Sequence, residues 1–159
     1  MVKKKPGSSN KGGLSASGHL SSIECPAYIC NTKKVTNALG YWPSFHDAEV
    51  ISFSAARAAP GQLGKTSAHL CVNVCQYREV GVGTADYEIV CCKSVLIEFF
   101  FTDLQFLSIE GFNHQNVIKS IRFKQLEAPS IEVEFESTYG VGGVIRSTSV
   151  EISDVTILL

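Results

Sequence analysis

Long apolar runs are missing from this chain of 159 residues. Stretches such as Phe99-Phe100-Phe101 are short, and nowhere do about 18 uncharged apolar residues follow one another, so no membrane-spanning helix is encoded. Charge is scarce too, at 18% against a norm of about 25%, while the hydrophobic fraction of 45% is that of a globular protein. A chain disordered throughout has the opposite balance and is excluded. Common catalytic signatures are also missing: there is no HExxH and no GxSxG. Gly61 to Thr66 ends like a P-loop, but its first glycine comes two residues late and no strand-to-helix context surrounds it.

The net charge of −1 averages two unlike pieces. Residues 1–24 hold Lys3, Lys4, Lys5 and Lys11 against Glu24, a net of +3; the remainder holds 10 basic and 14 acidic residues, a net of −4. A nucleic-acid binder shows a basic body, so nucleic acid is not an expected partner. An acidic body suits a basic partner and equally suits plain solubility. Residues 1–24 are rich in Gly, Ser and Lys and read as a flexible tail, an expression remnant or a linker, with His19 solvated in it. The Lys3–Lys5 run is not followed by the apolar stretch of a signal peptide. Residues 25–159 have the length of one domain, at about 100–200 residues per domain.

Six cysteines would fit a disulfide framework, but a domain of this size stabilises itself by burial, and the expectation is free thiols acting as small buried apolar residues. Cys25-x4-Cys30 and Cys71-x3-Cys75 are not zinc-knuckle spacings, and residues four apart on a strand lie about 13 Å apart. His69 shares the face of Cys71 and Cys75 and reads as a solvent-facing residue. No metal or other cofactor is expected.

One short helix is predicted over Lys33–Leu39, capped by Asn31 or Thr32 and stopped by Gly40, with Val35, Ala38 and Leu39 on one face. Nearly everything after residue 48 reads as strand: Val50–Ala56, Ala68–Tyr77, Val90–Phe101, Leu104–Phe112, Val117–Leu126, Ile131–Glu136 and Val144–Leu158. Leu104, Phe106 and Ile109 are placed inward. Asp154 marks a bulge or turn within the last run. Turns are expected at Ala59-Pro60-Gly61, Gly81-Val82-Gly83, Thr102-Asp103, Ala128-Pro129-Ser130 and Gly140-Val141-Gly142-Gly143. Strands joined by short turns pair antiparallel. The fold class is therefore α+β, dominated by antiparallel sheet, with the one short N-terminal helix packed against it.

The stripe Glu132, Glu134, Glu136 invites reading as a face for a cationic partner. A hairpin through Ala128-Pro129-Ser130 favours another account, because it sets Lys124 opposite Glu132 and Arg122 opposite Glu134. Phe99–Phe101 must place an aromatic on each face of its strand; burial on both sides of a central strand is the favoured reading.

The most specific segment is Leu39 to Val50, with the only Trp of the chain. Pro43 disfavours helix at Trp42. Trp42 and Phe45 anchor the connection in the core. His46 and Asp47 stand at the mouth of a strand, as a proton-transfer or metal pair, or as polar clips for backbone groups. The stretch Trp42-Pro43-Ser44-Phe45-His46-Asp47-Ala48-Glu49-Val50 resembles the bacterial family called immunity protein 50. Gly111-Phe112-Asn113-His114-Gln115-Asn116-Val117 supports it, as does Ser137-Thr138-Tyr139-Gly140 before the last strand. The resemblance spans about residues 31–155. It implies a cytoplasmic protein that binds and neutralises the toxin domain of a polymorphic toxin system, without turnover. It assigns neither catalytic nor toxin-contacting residues, so the motif positions Trp42, Pro43, Phe45, His46, Asp47, Glu49, Gly111, Asn113, His114, Asn116, Tyr139 and Gly140 carry either a structural or a functional role. Toxin identity and oligomeric state stay open. Two alternatives stand beside this: a small metal-dependent hydrolase built on His46, Asp47 and His114 with Glu49 or Asn113, and a general protein-interaction module.

Overall fold

A computed structural model describes residues 24–58 and 65–159; the basic tail up to residue 23 and the Ala59-Pro60-Gly61 turn lie outside it. Helix α1 covers Lys33–Leu39. Six strands follow: β1 (Ala48–Ala56), β2 (Ser67–Val80), β3 (Glu88–Glu110), β4 (Val117–Gln125), β5 (Ile131–Tyr139) and β6 (Gly142–Ile157). They close into a barrel in the order β1-β2-β3-β6-β5-β4, each neighbouring pair antiparallel.

Alternation explains the core. Leu70, Val72 and Val74 point inward from β2, Ile97, Phe99 and Phe101 from β3, Val133 and Phe135 from β5, and Val150 and Ile152 from β6. Helix α1 is too short to be stable alone. It buries Val35 and Leu39 against the barrel, and Gly40 ends it at φ 86°, a left-handed conformation that costs glycine nothing. Lys93 and Gln76 donate to the Ala38 and Leu39 carbonyls, tying the helix end to β3 and β2.

Four expectations are corrected. Thr102-Asp103 is not a turn: β3 runs through it for 23 residues. Asp103 takes φ 55°, and its N–H donates to the Thr66 carbonyl at 2.8 Å. The polar pair therefore distorts the strand without ending it, because Asp tolerates this conformation. The β3–β6 ladder then slips by one residue, since Leu104 faces Ser147 and Phe106 faces Arg146. A slip moves side chains to the other face. Phe106 is accordingly 47% exposed, not inward, with the Arg146 guanidinium 5.3 Å from its ring centroid. Gly142 and Gly143 belong to β6, so the last turn is confined to Gly140-Val141, and Val141 is buried. The six cysteines are free but none is a core residue, and Cys30 and Cys92 are exposed. Cys71 and Cys75 occupy the outward positions between buried Leu70, Val72 and Val74.

The last strand slips one residue before Asp154: Asp154 faces Glu98, while Ile152 faces Phe99, leaving Ser153 as the extra residue. The β4–β5 register sets Lys124 opposite Glu132 and Arg122 opposite Glu134, as the sequence suggests.

Candidate functional site

The barrel has one weak seam. Strands β1 and β4 pair through only two positions, Ala48–Ile118 and Glu49–Val117. Both family-like motifs lie at this seam, one at each end.

At one end the loop after α1 fills the gap. Pro43 and Trp42 are buried, and Phe45 is buried at φ 60°. That φ is uncommon for a bulky residue and persists only where surrounding contacts impose it. Here the contacts are aromatic. The Phe45 ring centroid lies 5.7 Å from Trp42, 5.8 Å from Phe99 and 6.1 Å from Phe123, and Trp42 lies 5.8 Å from Phe123. The Asp47 N–H donates to the Ile118 carbonyl at 3.0 Å, which starts the seam. Asp47 also has φ 60°. Its carboxylate faces solvent and meets His46 Nδ1 at 2.9 Å, with both side chains more than 60% exposed. The polar-clip role therefore belongs to the backbone of Asp47 and not to its side chain.

At the other end Asn116 organises the β3–β4 turn. It is buried; its Oδ1 accepts from the Asn113 N–H at 2.8 Å and its Nδ2 donates to the Asn113 carbonyl at 2.7 Å. Asn113 in turn holds Gly111 and Gln115. The Asn116 carbonyl accepts from Val50 N–H at 2.9 Å, carrying the turn into β1. Gly140 packs on this turn at φ 81°, where a Cβ would collide with the Gln115 carbonyl and come within 2.9 Å of Asn116 Oδ1. Gly111 and Tyr139 flank the same turn, and Tyr139 is exposed at the end of β5. Both motifs thus hold the seam.

His114 is exposed and stands apart from His46. His46 lies in the loop before Ala48 and His114 in the turn before Val117, at opposite ends of the two-position β1–β4 pairing. Among the described residues no three His, Cys, Asp or Glu side chains gather as a metal site. Glu49 is half-buried on the outward side of β1.

A groove of about 900 Å³ runs beside the aromatic loop, with Trp42, Pro43, Ile121 and Phe123 as its apolar lining and charged β4 and β5 side chains along it. All of those charges but Lys124 are paired. Arg122 bonds Glu134 at 2.9 Å and Glu136 at 3.3 Å, Lys119 bonds Glu136 at 2.9 Å, and Arg146 bonds Glu132 at 2.6 Å. The bond from Lys119, reinforced by Arg122, holds the Glu136 carboxyl below the usual carboxylate range. The stripe is neutralised from both flanking strands. Sequence reasoning missed Arg146, which takes Glu132 from the β6 side; pairing β5 on its second edge is the signal that finds it.

The motif residues thus close the seam of a small antiparallel barrel, with a charge-lined groove beside it. Residues 31–158 match the family model described as Immunity protein 50, and the chain belongs to that family. No curated protein and no solved structure matches the chain. No helix among the described residues is long and apolar enough to cross a membrane.

Proposed function

We propose that this protein is an immunity protein that binds the toxin domain of a polymorphic toxin system in the cytoplasm and blocks it stoichiometrically, without turnover. Residues 25–159 are the binding unit. The observation that carries this reading is the family match, which covers both seam motifs and nearly the whole barrel. The spending of motif side chains on packing and turn geometry supports it, since a binder needs its motif for shape and its free surface for contact.

The hydrolase reading rests on the exposed His46–Asp47 pair at 2.9 Å. It needs His114 as a further ligand, with Glu49 or Asn113 beside it. Asn113 is engaged in its own turn, and His114 lies at the far end of the seam.

The test is to mix the purified protein with candidate toxin domains of polymorphic toxin systems, taken from genes neighbouring its own. A 1:1 complex on size exclusion, with toxin activity titrated to zero at equivalence, is the expected result. Two separate peaks and undiminished toxin activity would refute the pairing.

A further inference from the structure

Carboxylates are unevenly compensated around this barrel. On β4, β5 and β6 each glutamate of the stripe has its own cation. The outward face of β1, β2, β3 and β6 is different. Glu98 of β3 stands directly opposite Asp154 of β6, Glu151 opposite Phe100, and Glu49 opposite Asn73. None of these four carboxylates has an ion-pair partner among the described residues. Lys34 reaches the edge of β6, but its ammonium donates to the Ser153 carbonyl at 2.7 Å. The basic side chain beside these carboxylates is His69, its ring tilted against Phe100 with 4.6 Å between centroids; Arg146, further along β6, is taken by Glu132 and Phe106. Like charges directly opposite on adjacent strands destabilise a sheet. The Glu98–Asp154 pair therefore leaves two negative charges side by side on this face without a cation between them.

A second, independent feature continues the same face. Strand β2 pairs with β1 no further than Asn73, and β3 is paired on its other edge only as far as Ser94, which bonds Leu158 and Leu159 just past β6. Beyond those points the β2–β3 hairpin stands out as a two-stranded arm with both edges unpaired among the described residues. Tyr77 and Ile89 lie on its outward side and are 59% and 61% exposed. Exposed Tyr and aliphatic side chains bordering a charged field are the makings of an interface anchor.

We infer that the outward face of β1, β2, β3 and β6, with Tyr77 and Ile89 of the arm, is the docking surface for the toxin domain, and that the matching surface of that domain is rich in Lys and Arg. This rests on the immunity reading above. Charge selects the occupant. A second copy docking through the same face by two-fold symmetry would set carboxylates against carboxylates, and nucleic acid carries the wrong sign.

The experiment uses the full chain and a candidate toxin domain from a gene neighbouring its own. Glu98→Lys and Asp154→Lys are made singly and together, with Glu127→Lys on the exposed β4–β5 turn as a control that matches the charge change of each single variant, and affinities are measured by titration at low and physiological salt. Each single reversal turns a like-charge pair into an opposite-charge pair, so folding is retained and the melting temperature stays level or rises. The expected result is an affinity loss of at least about tenfold for the double variant, a smaller loss for each single, and a change within about twofold for Glu127→Lys. Wild-type affinity falls as salt rises. Wild-type binding matched by the double variant would overturn this surface and leave the immunity reading intact. No binding by the wild type would overturn both. Self-association abolished by Asp154→Lys would give the face to a second copy, and would also overturn the proposal.

Discussion

Trp42 stands edge-on to Phe123, 5.8 Å between ring centroids, and this contact joins the loop after α1 to the strand that β1 barely reaches. The barrel is closed by side chains where its ladder is nearly absent. Phe45 completes the closure by reaching through to Phe99 on the far side of the core.

Truncating Phe45 should be among the most damaging single changes. It is 1% exposed and touches three other aromatic rings, so Phe45→Ala is expected to cost about 3–5 kcal/mol in urea unfolding. A loss below about 1 kcal/mol would mean that the loop does not seal the seam.

Asp47 and His46 should behave as surface residues. Their ion pair is solvent-exposed, and such pairs contribute about 0–1 kcal/mol. His46→Ala should leave stability within that range. At Asp47 the backbone matters more, because φ is 60°: Asp47→Gly should be tolerated better than Asp47→Ala, since alanine strains this conformation by about 1–2 kcal/mol. Equal melting temperatures for the two substitutions would contradict the assigned geometry.

Asn116 should be worth more than its size suggests. Its amide satisfies both the N–H and the carbonyl of Asn113 from a buried position. Asn116→Ala is expected to cost about 1–3 kcal/mol for two hydrogen bonds of about 0.5–1.5 kcal/mol each, with faster amide exchange at residue 113 as a local readout. Unchanged exchange there would place the organising role elsewhere.

The pair Lys119–Glu136 gives a pH signature. Glu136 titrates below its usual value because of the hydrogen bond from Lys119. A carboxylate with a lowered folded-state pKa adds stability that is present above the unfolded value of about 4.3 and is lost as pH falls through the folded value. Lys119→Ala should raise the Glu136 titration midpoint seen by NMR, only in part because Arg122 remains at 3.3 Å. A midpoint that does not move would show the pair to be absent in solution.

Much of this fold can be read from alternation and turn chemistry. Helix α1 and its Gly40 stop follow from local rules, and the Arg122–Glu134 register follows from a hairpin whose turn residues are unambiguous. What escapes is non-local. Barrel closure depends on which strand meets β1, and two pairs of residues at the seam leave no pattern in the sequence. The course of β3 past Asp103 escapes too, because a residue that tolerates left-handed backbone reads as a turn although long-range pairing with β6 overrides it. The motif was legible as a special place, but its division into buried anchors at 42 and 45 and exposed side chains at 46 and 47 required the tertiary structure. The opposed pair Glu98 and Asp154 lies 56 residues apart in sequence and becomes visible only with the β3–β6 register.

The central claim is stoichiometric protection, and a dose-controlled survival count tests it most directly. A candidate toxin domain from a neighbouring gene is induced at a fixed level while this protein is expressed over a range, and colonies are counted against the measured molar ratio. Survival that rises steeply as the ratio approaches one, and that persists in His46→Ala, is the predicted result. Death at every ratio with folded protein in excess, or full survival at a small fraction of an equivalent, would contradict it.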